Sequence, residues 1–396
     1  MAPHKLLFHA DQIGSLIRPS ALSHLQDQAD AGTITSSQLR DGQRAAIAAI
    51  VDKQLSHGVR ALSSGEFDRK YYFSGFFEAL AGFHEVSPVP RDLARSSAPP
   101  VAALSKIGQP YMMAAVCHGK IHYETSPYLE NWKLLRDSVD PALWPDCKFT
   151  MPPPCYFHLR LAPGKAYDAS VYANDAEFFA DLAVAYKKEI QTLYDAGLRN
   201  LQIDDPTLAY FCSEDMLESF RAEGIDADEL FDVYMRAHND CIADRPADMH
   251  VGLHVCRGNF SKSMHFSEGS YEKIAQRFFT TLDYDTFFLE YDGPRAGGFE
   301  PLRFLPVGKN VVLGVVTTKD PELEDVQVIK ERVLEAAGVI ARGQGRSVEQ
   351  VMANIGVSPQ CGFASVAVGA EGMTEERMFA KLELVKNLAK DLWPTK

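Results

Sequence analysis

Three short segments place metal-binding side chains at or just past the ends of apolar runs: His254-Val255-Cys256, Phe287-Phe288-Leu289-Glu290 and Ser358-Pro359-Gln360-Cys361-Gly362. Together His254, Cys256, Glu290 and Cys361 offer one nitrogen, two sulfurs and one oxygen. Zinc(II) accepts that mixture in tetrahedral geometry and can hold a thiol as its thiolate near neutral pH. If the segments converge, the chemistry is alkylation of a small thiol. His254 and Cys256 share a face of an extended chain, because side chains at i and i+2 point the same way. An isolated His-x-Cys usually means nothing. Glu290 ends an apolar run, where an unpaired carboxylate is costly; a salt bridge with Arg295 or Arg303 is the bland alternative. Cys361 sits in a turn, which sets it apart from Cys117, Cys147, Cys155, Cys212 and Cys241, all read as small buried hydrophobes.

Other apolar runs also end in polar residues: Gly14-Ser15, Gly65-Glu66, Asp204-Asp205-Pro206 and Thr317-Thr318-Lys319. Adjacent Asp residues on a strand face opposite ways, so one of Asp204 and Asp205 can grip a substrate ammonium. The competing role for either is a helix cap or a loop salt bridge. Glu66 follows Gly65 in a tight turn and competes with a pairing to Arg69 or Lys70. Ser15 could present donors to a carboxylate. Arg257 hints at an anionic group near the ligand pair, or makes a salt bridge. No phosphate loop, dinucleotide fingerprint or Gly-x-Ser-x-Gly elbow appears, which disfavours Rossmann-type hydride transfer and serine hydrolysis.

The elements that must position these residues follow from periodicity. Strand-like runs are Lys5–His9, Ala61–Ser63, Phe149–Met151, Asn200–Ile203, Met249–His254, Thr286–Leu289, Val311–Val316 and a weak one at Ala353–Val357. Helical spacing covers Ser36–His57, Ala176–Ala196, Ala227–Ala243, Tyr271–Phe279, Glu324–Ala341 and Glu375–Leu392. Eight strands alternating with helices predict a (β/α)8 TIM barrel, an α/β fold whose sites lie at the carboxyl ends of the strands. The rhythm breaks over 74–148, where prolines and the strand-like runs Ala102–Leu104 and Tyr111–Cys117 predict an inserted β-containing lobe after the second strand. With no repeat or linker, the chain reads as a single domain, 1–396.

The composition is that of a soluble globular protein: 46% hydrophobic and 23% charged residues. A net charge of −13 argues against nucleic acid or an anionic membrane as the main partner. No apolar stretch approaches the roughly 20 residues that span a bilayer, and Met1–Phe8 is too short for a secretory signal. An odd count of 7 unevenly spaced cysteines fits a reducing, cytoplasmic setting. A homo-oligomer is left open.

Taken in order, Gly14-Ser15-Leu16-Ile17-Arg18-Pro19, Gly65-Glu66-Phe67, Leu201-Gln202-Ile203-Asp204-Asp205-Pro206, His254-Val255-Cys256-Arg257-Gly258-Asn259-Phe260, Phe288-Leu289-Glu290-Tyr291-Asp292, Val312-Leu313-Gly314-Val315-Val316 and Ser358-Pro359-Gln360-Cys361-Gly362-Phe363 resemble one family. It is the cobalamin-independent methionine synthase family, specifically its catalytic C-terminal barrel and short single-barrel relatives. The resemblance runs from about Gly14 to Trp393. It implies zinc held by His254, Cys256, Glu290 and Cys361. It further implies homocysteine held by Glu66 and Asp204 through its ammonium and by Ser15 through its carboxylate. The implied activity is methyl transfer to a zinc-bound thiolate, giving methionine, from a methyl folate or another donor. A tertiary amine leaving group calls for a general acid; His118, His122 and His158 are the candidates, none with a motif. The full-length enzymes carry a further N-terminal half that 396 residues do not accommodate, which leaves the donor open. The rivals are a zinc-dependent thiol transferase that opens epoxides and a metal-free, decarboxylase-type barrel.

Overall fold

The structure is a computed structural model that describes residues 5–106, 113–258, 267–364 and 369–394. Asn259 and Phe260, at the end of the His-Val-Cys motif, lie outside them, as do Tyr111 and Met112.

Two sheets form. Ala81–Val86 (β1) pairs antiparallel with Ala114–His122 (β2). Six further strands form one parallel sheet in sequential order. They are Lys148–Met151 (β3), Asn200–Asp204 (β4), His250–Val255 (β5), Thr286–Glu290 (β6), Asn310–Val316 (β7) and Ile355–Pro359 (β8). Every residue of β3 to β8 is buried. Parallel strands covered on both faces read as near-continuous apolar runs, which is why the sequence displays them so clearly.

Helices cover the sheet: Asp175–Asp195, Ala227–Ile242, Ala275–Thr281, Val326–Gln344 and Glu375–Leu392. Each of the long ones starts from a side-chain cap, as where Asn174 accepts from the Glu177 backbone and Asp325 from Gln327 and Val328. The stretch Tyr271–Phe279 is not one helix. It divides at Ile274 into a single 3-10 turn, Tyr271–Lys273, and the helix that follows.

The first two predicted strands are corrected. Lys5–His9 and Ala61–Ser63 form no ladder; single parallel bridges stand in their place, Ala10 with Val357, Ser15 with Gly65 and Leu62 with Cys147. The first segment meets the sheet at one point, where His9 O and Asp11 N bond Val357 N and O at 2.8 and 2.9 Å; around the second, side chains compete for the backbone. The buried Gln12 amide donates to the Ala61 carbonyl at 2.6 Å, and the Gln54 amide bonds both Ser63 O and Ser63 N, at 2.8 and 3.0 Å. The bridges still attach one segment to β8 and the other to the start of β3, on the two free edges of the sheet.

Ala102–Leu104 is also corrected: it lies in the helix Pro99–Lys106. Proline at the first helical positions sacrifices no hydrogen bond and presets φ, so the Pro99-Pro100 pair starts a helix rather than breaking one. The weak run at Ala353–Val357 is displaced, with β8 beginning at Ile355 after the helix Val348–Met352.

Register sets the polar strand ends level with one another. Asp204 pairs with His254, Glu290 with Gly314, and Gly314 with Ser358.

Candidate metal centre

His254 and Cys256 close β5, Glu290 ends β6, and Cys361 lies in the turn just after β8. One ligand atom from each of the four falls within 4.8 Å of the others. The two thiol sulfurs are 3.3 Å apart. His254 is 1% exposed, and its Nδ1 lies 3.2 Å from the Phe288 carbonyl. That carbonyl can only accept, so Nδ1 carries the proton and the Nε2 lone pair is free. Nε2 is buried with no hydrogen-bond partner. An imidazole oriented by one nitrogen with the other left unsatisfied is the arrangement of a metal ligand.

Glu290 is fully buried. Its Oε1 accepts from the Arg257 backbone N–H at 2.7 Å and its Oε2 from Arg295 Nη2 at 2.9 Å. The Arg295 bridge and a ligand role are therefore compatible, since each carboxylate oxygen has two lone pairs. Arg303 pairs with Glu272 instead. Burial alone would raise the Glu290 carboxyl, but Lys319, Arg295 and His254 hold it below the usual carboxylate range. The Cys256 thiol is pushed well up, first by its hydrogen bond with Cys361 and then by burial, although Gly258 N–H donates to its sulfur at 3.2 Å. A soft pair of thiols, one orphaned imidazole nitrogen and an anionic carboxylate fit a tetrahedral zinc ion.

Close backbone approach brings Cys361 in. A Cβ at Gly314 would stand 2.6 Å from Gln360 Cα and 3.0 Å from Leu289 O. Only glycine lets β7 run between the Glu290 strand and the Cys361 turn at that spacing. The turn is pinned by Gln360, whose amide bonds Thr318 Oγ1 at 2.9 Å.

Two acids face the same space. Glu66 adopts φ 60°, a left-handed conformation uncommon outside glycine, directly after Gly65 at φ 66°. Such strain costs roughly 1–3 kcal/mol and persists where the surroundings dictate it. Its Oε1 accepts from Thr150 Oγ1 at 2.8 Å and meets Arg69 at 3.2 Å, while Oε2 is buried without a partner. Asp204 accepts from Gln202 Nε2 at 2.6 Å. Burial, joined by the charge of Glu66 and opposed by His254, pushes its carboxyl up to about 7. Asp204 thus feels both Glu66 and the ligand imidazole. Ser15 joins the two groups: it bridges to Gly65, and its carbonyl and hydroxyl take Phe363 N at 2.9 Å and Ala364 N at 3.4 Å, just past Cys361.

Asp205 turns the other way and takes the capping and ion-pair role. Its carboxylate caps the turn at Leu208–Cys212, accepting from Thr207 and Leu208 N–H, and pairs with His238 at 2.8 Å. Cys155, Asp205 and His238 are a second buried trio with metal-ligand types, but their polar atoms satisfy one another. The Asp205 backbone also ties down the ligand strand, donating to His254 O at 2.7 Å and accepting from Cys256 N at 3.2 Å.

The histidines considered as acids lie elsewhere. His118 and His122 are exposed on β2, with His118 beside the His84 ring at 5.7 Å. His158 is held between Tyr234 OH and Asp175, at 2.9 and 3.0 Å. Thr150 and Gln202 hydrogen-bond the acids Glu66 and Asp204, and neither was singled out from the sequence. Their only sequence signal is polar residues within otherwise apolar strands, Gln202 two positions before Asp204 on the same face.

Comparison with known proteins places this geometry. The family described as cobalamin-independent synthase, catalytic domain, matches residues 166–390. The Bacillus subtilis (strain 168) protein YxjG, itself uncharacterized, is 38% identical over 388 residues, 98% of this chain and 95% of its own. A solved structure of the vitamin-B12-independent methionine synthase assigned in Listeria monocytogenes is 29% identical, with a TM-score of 0.73 over 99% of this chain and 100% of that one. The B12-independent methionine synthase of Shewanella sp. W3-18-1, solved with selenomethionine, has the same fold at 18% identity, with a TM-score of 0.65 over 98% of each chain.

Proposed function

Because the chain belongs to the cobalamin-independent synthase family, we propose that it transfers a methyl group to the sulfur of homocysteine, with His254, Cys256, Glu290 and Cys361 holding zinc. The observation that carries this reading is the convergence of those four donors, from three separate strand ends, to within 4.8 Å. Zinc bound there would supply a Lewis acid able to keep a substrate thiol in its thiolate form at neutral pH.

The protein's own residues then bind and orient the substrate. Glu66 Oε2 and the Asp204 carboxylate accept from the ammonium, and Ser15 donates to the carboxylate. Two buried acids without enough partners disfavour the free state and reward a cation between them. Phe288 fixes the His254 ring, and Arg295 fixes Glu290. The thiolate sulfur forms its bond to the methyl carbon as the methyl–nitrogen bond of the donor breaks, and the leaving amine takes a proton. We take the donor to be a methylated folate or a chemically similar N-methyl compound.

In this reading the bridged segments at Ala10–Ser15 and Leu62–Gly65 are the first two members of a closed (β/α)8 ring. The paired strands β1 and β2 belong to an insertion at 74–148, and 1–396 is one domain. With all of its cysteines free, we place the enzyme in the cytoplasm.

Metal analysis of purified protein tests the centre: about one zinc per chain, lost in Cys361→Ser. Calorimetry of the zinc-loaded protein with homocysteine should show binding with proton release. Protein that takes up no zinc, or zinc-loaded protein that ignores homocysteine, overturns the proposal. A thiol-consumption screen across methyl folates, methylcobalamin, sulfonium compounds and epoxides identifies the donor.

A further inference from the structure

Arg257 is fully buried and follows Cys256, its backbone N–H donates to Glu290, and its guanidinium feels the Glu290 charge. Among the described residues its Nε, Nη1 and Nη2 make no well-aligned hydrogen bond and no ion pair, and the nearest charged or polar influences on it are Tyr271, Cys212 and Glu290. The guanidinium carbon sits 4.2 Å from the centroid of the Tyr271 ring. Tyr291 OH, another unpartnered buried group, belongs to a ring 5.5 Å from that of Tyr271. The contrast with Arg295 is direct: that side chain divides itself between Glu290 and Asp292, at 2.9 and 2.7 Å. Burial alone would disfavour this cation; Tyr271, Cys212 and Glu290 oppose that, and a further anion close by would be stabilised by it in turn.

We infer that Arg257 is a fixed countercharge for the anionic thiol of the substrate. This rests on the thiol-transfer reading and deepens it. The charge arithmetic makes it specific. Zinc held by Cys256 and Cys361 would displace two thiol protons as a dication enters, which would leave the net charge of the site unchanged. Capture of a substrate thiol as its anion releases one proton and adds one negative charge. A fixed positive charge at Arg257 therefore favours the second event and is indifferent, to first order, to the first. Because its nitrogens have no solvent access, Arg257 acts through space and not as a hydrogen-bonding fork for the substrate.

The test uses the full-length protein. Zinc retention is measured against a chelator and homocysteine affinity by calorimetry, in the wild type, Arg257→Met and Arg257→Lys. The expected result is a roughly ten- to hundredfold weaker homocysteine affinity in Arg257→Met, the scale of one unit charge at an effective dielectric of about 20. Its zinc retention should stay within a few-fold of wild type, and Arg257→Lys, which keeps the charge, should bind homocysteine nearly as wild type does. Unchanged homocysteine affinity in Arg257→Met overturns the inference. So does a parallel loss of zinc and homocysteine, which marks a structural role. If Arg257→Met does not fold, Arg257→Lys decides: a large loss of thiol affinity there refutes a countercharge acting through space. Wild-type zinc-loaded protein that ignores homocysteine refutes the proposed function itself, a result separable from all of these.

Discussion

Glu66→Gln separates a substrate-gripping carboxylate from a structural ion pair. In the free protein the side chain uses one oxygen, Oε1, for Thr150 and Arg69, and leaves Oε2 buried and unpartnered. An ammonium on Oε2 makes a charge-assisted hydrogen bond worth about 1.5–3 kcal/mol. Its loss corresponds to a roughly 10- to 150-fold weaker dissociation constant. Glutamine keeps the shape. It can turn its oxygen toward Thr150 and Arg69, which sets an N–H donor where the ammonium should sit and moves the effect toward the upper end. Stability should respond differently. Arg69 retains the Thr150 carbonyl at 2.9 Å and the Thr150 hydroxyl, so no cation is stranded. The variant should unfold at nearly the wild-type temperature, while calorimetry with homocysteine on zinc-loaded protein shows the loss. If Glu66 only holds its turn, the order reverses: breaking a buried pair costs about 3–5 kcal/mol, and affinity changes no more than zinc content does. A destabilised variant with wild-type homocysteine affinity refutes the reasoning.

Three further substitutions probe the site. Asp204 has a folded-state pKa raised to about 7, above the ordinary value of 3.8, so its contribution to stability is complete below about pH 4 and lost as pH rises through 7. Asp204→Asn should therefore gain stability over the wild type at pH 8, an advantage that disappears by pH 4 in pH-dependent denaturant melts. The wild type should also lose homocysteine affinity below pH 7 more steeply than Asp204→Asn does; parallel slopes count against an ammonium contact. Arg295→Met removes the partner of Glu290 Oε2 and should lower zinc affinity about 10- to 100-fold in chelator competition; unaltered affinity means Glu290 needs no orientation. Gly314→Ala places a methyl 2.6 Å from Gln360 Cα and should cost about 1–3 kcal/mol in denaturant unfolding, together with zinc retention, since β8 and Cys361 must move. Wild-type stability in that variant would show that β7 and β8 are not so tightly spaced.

The four donors His254, Cys256, Glu290 and Cys361 were legible because each stands where an apolar run stops, and a parallel strand buried on both faces makes the stop abrupt. β4 to β7 were legible for the same reason. The first two strand positions were not. The second takes its backbone partners from the side chains of Gln12, 49 positions from Ala61, and Gln54, and the first meets the sheet through His9 and Asp11 on the distant Val357, contacts that no local pattern records. Nor did periodicity distinguish a strand from a helix at Ala102–Leu104, where the apolar run is too short for its period to speak and the prolines at 99 and 100 decide.

What the sequence determined by itself is chemistry: which side chains are present, and that Asp204 and Asp205 must part company because adjacent strand residues face opposite ways. What only the tertiary structure decided is occupation. It set Asp204 near the charges of His254 and Glu66 and paired Asp205 with His238, let Glu290 keep Arg295 while standing within 4.8 Å of the other three donors, and placed His118 and His122 on the exposed face of β2 and His158 between Tyr234 and Asp175. It also buried Arg257, next to Cys256, against the Tyr271 ring with no ion pair among the described residues. The reason is that an electrostatic role depends on distance and burial, and distances between strand ends as far apart in the chain as Ser15 and Ala364 are set by register and packing, which no stretch of sequence contains.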